Sequence, residues 1–189
     1  MTNARHEHLS QSTIKPFLEL NMQGDSKESV CGIVFDKERA SVLLIKRRDI
    51  PVWTLPGGGL DSGESPEEGT TRELEEETGC QVKIVRKVAE YLPVNKMTRF
   101  THFFECEIVG GSAQTGAETQ GVGFFPLDAL PLLPPPYADW IKDAAAQEPA
   151  LIRKHIIGVT YFVLIKLLIQ HPILVGRYIL TKFGIHINQ

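Results

Sequence analysis

Hydrophobic and polar positions along the 189-residue chain divide it into a strand-rich first part and an apolar last part. In the first part, apolar and β-branched residues form short runs separated by turn-forming clusters, a pattern that predicts β-strands. The predicted strands are residues 30–35, 41–46, 82–91, 99–108 and 122–125. Residues 1–28 are mostly polar, and we expect them to form an N-terminal leader that packs loosely or not at all.

Two helices are predicted between and after these strands. Ser65 is a candidate N-cap, with Pro66 at the first helical position and Glu68 completing a capping box. Gly79 supplies the left-handed residue that ends this helix. The second helix, over residues 137–147, follows the proline-rich stretch 126–136. Strands that surround one strongly specified helix predict an α+β sandwich.

The apolar last part of the chain predicts a helical extension. Residues 156–169 read IIGVTYFVLIKLLI, which is apolar on nearly every helical face, and a further helix is predicted from Pro172 to Gly184. Since a membrane span needs about 20 apolar residues, a single crossing is disfavoured. We therefore expect a domain over residues 29–148 and a basic, apolar tail over residues 149–189. The tail either packs on the domain or on a second copy in a homodimer, or makes peripheral contact with an anionic membrane.

Charge separates the same two parts. Residues 1–148 carry 15 basic and 23 acidic side chains, a net charge of −8, whereas residues 149–189 carry five basic side chains and no acidic one. The acidic part argues against a nucleic-acid surface, and the basic part favours a membrane face or an acidic partner. The three cysteines are widely spaced, which predicts neither a disulfide framework nor a zinc site. The first twenty residues lack the apolar run of a secretory signal, so we expect a cytoplasmic protein.

Candidate chemistry is concentrated in the first helix. Glu73, Glu76 and Glu77 are spaced i, i+3, i+4, which places three carboxylates on one helix face. They lie near the C-terminal end of the helix, where the macrodipole disfavours anions. A cation between them would remove this conflict, and oxygen ligands alone select a hard ion such as Mg²⁺ or Mn²⁺. The alternative is a solvated acidic face on which Arg72 pairs with Glu76.

Residues 58–80 also fit a known family pattern, G-x5-E-x7-R-E-U-x-E-E-x-G-U. The residues at its nine specified positions are Gly58, Glu64, Arg72, Glu73, Leu74, Glu76, Glu77, Gly79 and Cys80. Cys80, in place of an aliphatic residue, is a mild departure. The segment resembles the Nudix box, and the preceding LLIKRRDIPVWTLPGGG resembles the Nudix strand that leads into it. The resemblance covers roughly residues 29–133.

This resemblance implies a fold, an activity and a set of roles. The fold is a Nudix-type α/β/α sandwich, and the activity is metal-dependent hydrolysis of a nucleoside diphosphate linked to another moiety. Glu76 and Glu77 would be metal ligands, together with the backbone carbonyl of Gly58. Glu73 would be a ligand or the base that deprotonates water, and Arg72 would orient the carboxylates. Glu64 would be structural.

Candidate residues outside this segment have two interpretations each. Glu118 is either a further carboxylate that faces the metals, as the family often has, or an exposed loop acid. Arg47 and Arg48 could contact phosphate, but adjacent strand residues point to opposite faces, so at most one can do so. Trp53 either stacks on a base or covers the core. Residues 57–59, all glycine, are expected to allow a close backbone approach into the metal loop.

The substrate is left open by these residues. Pro93 lies 13 positions after Cys80, close to the position of about 15 that the ADP-ribose group of the family shows. ADP-ribose or a nucleotide sugar is therefore favoured. One alternative is a nucleoside triphosphate pyrophosphohydrolase. Another is a binding module of Nudix fold in which the apolar tail docks on a membrane or partner, although every carboxylate of the pattern is present.

Overall fold

The part of the chain that the structure describes folds into two β-sheets and two helices. A computed structural model describes residues 28–49, 51–96 and 98–160. The elements in it are β1 (Ser29–Val34), β2 (Ser41–Arg47), β3 (Trp53–Thr54), α1 (Pro66–Thr78), β4 (Cys80–Leu92), β5 (Thr101–Gly111), β6 (Thr119–Pro126), α2 (Tyr137–Ala145) and β7 (Ile152–His155). The predicted α+β class is confirmed.

The two sheets differ in how their strands run. The first sheet has the order β1-β5-β4-β7, with β1 parallel to β5, β4 antiparallel to β5 and β7 parallel to β4. The second has the order β3-β2-β6 and is antiparallel throughout. Strands that are distant along the chain therefore lie side by side in both sheets.

Both helices are held by buried apolar side chains. Leu74 of α1 is fully buried in a cluster with Leu43, Phe104 and neighbouring residues of both sheets. Trp140 of α2 stacks on Tyr91 with ring centroids 4.4 Å apart, within the larger core cluster. The apolar face of each helix therefore explains where that helix lies.

The ends of α1 have the predicted geometry. The side chain of Ser65 accepts from the backbone N–H of Glu68, and the Glu68 side chain accepts from the backbone N–H of Ser65, so the capping box is complete. Gly79 ends the helix in the left-handed region, with φ of 71°. These caps fix the first residue and the last residue of the segment that carries the acidic cluster.

The structure corrects the prediction for the start of the tail. Residues 152–155 form strand β7 at the edge of the first sheet, and residues 156–160 are not helical. Two of the five tail cations pair inside the domain, because Arg153 binds Glu90 at 2.8 Å and Lys154 binds Asp143 at 2.6 Å. Residues 152–155 read IRKH, with one apolar residue and no alternation, so the sequence pattern did not identify this strand.

The remaining predictions for the two chain ends lie outside the described residues. These are residues 1–27 of the leader predicted over residues 1–28, and the parts of the predicted tail helices that lie beyond residue 160. Neither helix in the part of the chain described here has the length and apolarity needed to cross a membrane.

The loop that precedes α1 is attached to the edge of the first sheet. The backbone N–H of Val30 donates to the carbonyl of Gly58 at 2.9 Å, and that of Gly32 donates to the carbonyl of Pro56 at 3.0 Å. The loop thus satisfies part of the open edge of β1 and is fixed relative to the sheet.

Candidate functional site

The glycines of the loop allow two close contacts. A Cβ on Gly57 would lie 2.3 Å from the carbonyl oxygen of Val30, and a Cβ on Gly58 would lie 2.5 Å from a carboxylate oxygen of Glu73. A side chain at Gly57 would separate the loop from β1, and one at Gly58 would displace the carboxylate of Glu73. The predicted close approach is confirmed, and it sets the Glu73 carboxylate directly against the loop backbone.

Arg72 connects the loop to the acidic face of α1. Its Nε and Nη2 donate to the two carboxylate oxygens of Glu64, at 2.8 and 3.0 Å, and Nη2 also donates to the carbonyl of Gly59 at 3.1 Å. Nη1 donates to Glu73 at 2.9 Å and reaches Glu76 at 3.4 Å. The hydrogen bonds from Arg72 lower the pKa of Glu64 to about 2, so this carboxylate stays ionised. Arg72 therefore fixes both the loop and the carboxylate that follows it.

Glu77 is the buried carboxylate of the cluster, with 5% of its surface exposed. Its Oε2 accepts from the backbone N–H of Gly57 at 2.7 Å. Burial raises the pKa of Glu77 to about 7, against the opposing effect of that hydrogen bond, and the charge of Glu73 raises it further. A nearby cation would favour the ionised form.

Glu73 and Glu76 differ in their surroundings. Glu73 is half-buried, and desolvation raises its pKa despite the ion pair with Arg72. The side chain of Glu76 is 60% exposed and points to solvent apart from its contact with Arg72. The face thus offers one buried, one half-buried and one accessible carboxylate.

Glu118 brings a fourth negative charge towards this face from the loop between β5 and β6. Its carboxylate is exposed, yet its charge contributes to the raised pKa values of both Glu73 and Glu77. The fold therefore brings Glu118 near the predicted cluster from about 40 residues away in the sequence.

The loop that carries Glu118 is anchored on the end of α1. The hydroxyl of Thr119 donates to the carbonyl of Glu77 at 3.0 Å and accepts from the N–H of Gly116 at 2.7 Å. The N–H of Gln114 donates to the carbonyl of Thr78 at 2.8 Å. These bonds satisfy carbonyls that a helix end leaves free. Sequence reasoning missed Thr119, since no local signal links it to a helix 40 residues earlier.

The three candidate substrate contacts have distinct environments. Arg47 forms a two-point pair with Asp49, through bonds of 2.9 and 2.7 Å, and lies near enough to Glu77 to be affected by its charge. Arg48 donates from its guanidinium to the carbonyls of Ala117 and Thr119. Trp53 packs edge-on against Phe125, with ring centroids 4.5 Å apart, beside the main core. A contact of any of the three with substrate stays a prediction.

The residues present fit a hard divalent cation by their chemistry. All the candidate ligand atoms are oxygens, as a hard divalent cation prefers. The Glu73 carboxylate lies directly against the backbone of Gly58, which has no side chain. The Gly58 carbonyl already accepts from Val30, and it retains a second lone pair. Across residues 28–49, 51–96 and 98–160, no three acidic, His or Cys side chains are close enough to hold an ion as they stand. Arg72 and the Gly57 N–H occupy the carboxylates instead, so binding requires side-chain rotation.

Comparison with known proteins agrees with this arrangement. The family model described as NUDIX domain matches residues 25–147. A protein of Bacillus subtilis, provisionally named 8-oxo-dGTP diphosphatase, is 40% identical over 101 residues, which are 53% of this chain and 67% of that protein. The ADP-ribose pyrophosphatase of Methanocaldococcus jannaschii is 33% identical over 108 residues, which are 54% of this chain and 64% of that protein. The chain thus spans about two thirds of the length of each.

A solved structure shares the fold. The crystal structure of an ADP-ribose pyrophosphatase from Streptococcus suis superposes with a TM-score of 0.57 at 28% sequence identity. The match covers 69% of this chain and 98% of that one.

Proposed function

The chain belongs to the Nudix hydrolase family, and we propose that it is a divalent-metal-dependent hydrolase of a nucleoside diphosphate linked to another moiety. The observation that carries the proposal is the set of carboxylates around residues 57–58. Glu73 lies against Gly58, and the buried Glu77 is held by the Gly57 N–H. Such a concentration of negative charge at a helix C-terminus is unfavourable unless a cation balances it.

The residues of this chain would divide the work of the reaction. Glu73, Glu76 and Glu77, with the Gly58 carbonyl, would hold Mg²⁺ or Mn²⁺. The metal, when bound, neutralises charge on the diphosphate and acidifies a water molecule. Arg72 orients Glu73 and keeps Glu64 ionised. A carboxylate oxygen of Glu73 or of Glu118 would accept the proton from the attacking water.

Two substrate classes are supported by different observations. Pro93 and two ADP-ribose pyrophosphatases among the similar proteins favour ADP-ribose or a nucleotide sugar. The Bacillus subtilis relative, which is 40% identical and carries an 8-oxo-dGTP diphosphatase name, favours a nucleoside triphosphate instead. We place the diphosphate-linked class first and the triphosphate class second.

A substrate panel tests both the activity and the class. ADP-ribose, nucleotide sugars, dinucleoside polyphosphates and nucleoside triphosphates, including 8-oxo-dGTP, are incubated with the full chain and Mg²⁺. Hydrolysis of ADP-ribose or a nucleotide sugar, abolished by excess EDTA, is the expected result. In ¹⁸O-labelled water the label should enter a phosphate-containing product. Turnover of the triphosphates alone would favour the triphosphate class over the diphosphate-linked class. Turnover that survives EDTA would contradict metal dependence.

We further propose that residues 161–189 form a docking element, either for a second copy of the chain or for an anionic membrane surface. This segment keeps Lys166, Arg177 and Lys182 and has no acidic residue. Most of its other residues are apolar, a composition typical of segments that bind an apolar or anionic surface.

Truncation after Thr160 tests the docking proposal. The cut spares β7, whose ion pairs to Glu90 and Asp143 belong to the domain. We expect the truncated protein to retain metal-dependent hydrolysis within about twofold, because the acidic cluster is intact. Its oligomeric mass by light scattering, or its recovery with anionic liposomes, should change. Identical mass and identical liposome recovery for the two proteins would rule out docking by this segment.

A further inference from the structure

Arg48 makes three hydrogen bonds to three consecutive residues of the loop that carries Glu118. Its backbone N–H donates to the carbonyl of Glu118 at 2.8 Å. Its guanidinium donates from Nε to the carbonyl of Ala117 at 3.0 Å and from Nη2 to that of Thr119 at 2.8 Å. The guanidinium therefore brackets Glu118 between its two sequence neighbours. Arginine suits this task because its donors form a planar fork of fixed geometry.

The opposite side of the same loop is fixed to α1. Gly116 packs so tightly on the helix that a Cβ there would lie 1.9 Å from the carbonyl oxygen of Glu76. Thr119, which is fully buried, bonds to the carbonyl of Glu77. Glu118 thus stands between an anchor on α1 and an anchor on the end of β2. Without the Arg48 guanidinium, the loop loses the bonds to the carbonyls of Ala117 and Thr119 and keeps the α1 anchor, the Arg48 backbone bond and the pairing of β6 with β2.

We propose that Arg48 is a positioning residue that holds the Glu118 carboxylate at the acidic cluster of α1, an inference that rests on the proposed function. It replaces the prediction that Arg48 contacts a substrate phosphate. Because both bonds of its guanidinium go to main-chain carbonyls on either side of Glu118, the effect of the Arg48 side chain on chemistry passes through the orientation of Glu118. The guanidinium of Arg47, the neighbouring cation, pairs instead with the carboxylate of Asp49.

Manganese affinity gives a test that needs no substrate. If Arg48 acted on the metal site only through its positive charge, its removal would strengthen Mn²⁺ binding. Loss of a positioned carboxylate would weaken it. We therefore expect Arg48→Ala in the full chain to lower Mn²⁺ affinity by about threefold to tenfold, and we expect Glu118→Gln to do the same. The double variant should bind no more weakly than Glu118→Gln alone. Unchanged or stronger binding by Arg48→Ala, or losses that multiply in the double variant, would overturn the proposal.

Kinetics on whichever substrate the panel identifies give a second readout. Arg48→Ala should lower kcat by about tenfold and leave KM within about twofold. A rise in KM at constant kcat would indicate a phosphate contact instead and overturn the positioning role. Arg48→Lys keeps the charge but offers a single point donor, so it should lie between Arg48→Ala and the unmodified protein. Lys83→Ala, which removes an exposed cation paired with Glu107, is the control and should change neither quantity.

The two proposals can fail separately. If the unmodified protein binds Mn²⁺ but hydrolyses no member of the panel, the proposed function fails and the Mn²⁺ comparison still decides the role of Arg48. If it hydrolyses a substrate and Arg48→Ala matches it in both readouts, only the positioning role fails. Should Arg48→Ala not fold, Arg48→Lys carries the same comparison, and behaviour equal to the unmodified protein would overturn the proposal.

Discussion

Glu77→Gln should lower turnover by at least about a hundredfold and at the same time stabilise the metal-free protein. The loss of turnover follows from the removal of an anionic metal ligand. The gain in stability follows from burial, because Glu77 is 5% exposed and has a pKa raised to about 7. Gln keeps the oxygen that accepts from Gly57 and removes the charge.

The effect of Glu77 on stability depends on pH. Its pKa in the folded state is above the ordinary value of 4.5, so the folded protein favours the neutral carboxyl. The contribution of this group to the free energy of unfolding is therefore complete below pH 4.5 and is lost as the pH rises through 7. At pH 8 and without metal, Glu77→Gln should raise the free energy of unfolding by a few tenths to about 1 kcal/mol. At pH 4 the gain should disappear.

Thermal melting with EDTA or with Mg²⁺, together with initial rates, measures these effects. The increase in Tm caused by Mg²⁺ should shrink in Glu77→Gln, because a ligand stabilises only through its affinity for the folded state. Glu75→Gln is the matched control, since Glu75 lies in the same last turn but is exposed and bonded to Gln81. If the two variants have the same Mg²⁺-induced change in Tm and the same initial rates, the cluster is a solvated acidic face and not a metal site.

Gly57→Ala should lower the free energy of unfolding by at least about 3 kcal/mol. The φ angle of Gly57 is 149°, and a Cβ would meet two backbone atoms of β1, the Val30 oxygen at 2.3 Å and the Cys31 Cα at 2.7 Å. Backbone cannot rotate away as a side chain can, so the loop must move off the sheet. The same movement takes the Gly57 N–H away from Glu77, and turnover should fall with stability.

Gly63→Ala separates conformational strain from the close approach. Gly63 also has a positive φ, of 84°, but no atom lies within 4 Å of the position of its Cβ. Gly63→Ala should therefore lower the free energy of unfolding by about 1 to 2 kcal/mol from backbone strain alone. Urea unfolding of both variants gives the difference. If Gly57→Ala lowers the free energy of unfolding no more than Gly63→Ala does, the loop can move away from β1 at little cost and the prediction is wrong.

Local signals made α1 predictable, whereas two of the strands were not. The cap at Ser65 and the stop at Gly79 depend on residues within one turn, and both are confirmed. Strand β3 has only two residues, and β7 exists because Arg153 and its neighbours pair with β4 some 60 residues earlier. Pairing at that distance leaves no periodicity in a segment of four residues.

The candidate site shows the same division. The spacing of Glu73, Glu76 and Glu77 places them on one helix face in the sequence as in the structure. The expected pair of Arg72 with Glu76 is present at 3.4 Å, but the shorter bonds of Arg72 go to Glu64, eight positions earlier in a loop. Helical spacing cannot reach a residue outside the helix. The bonds from Arg48 to the Glu118 loop depend likewise on the pairing of β2 with β6.

Strand β7 also has a consequence for biosynthesis. Arg153 pairs with Glu90 across 63 positions, and β1 contacts β5 across a similar separation. During synthesis on the ribosome, β1 therefore cannot pair until β5 has emerged. The outer edge of β4 cannot pair with β7 until residue 155 has left the exit tunnel. During that interval the nascent chain exposes unpaired backbone and the apolar surface destined for the core. Chaperones that bind nascent chains should act most strongly on this protein before residue 155 emerges.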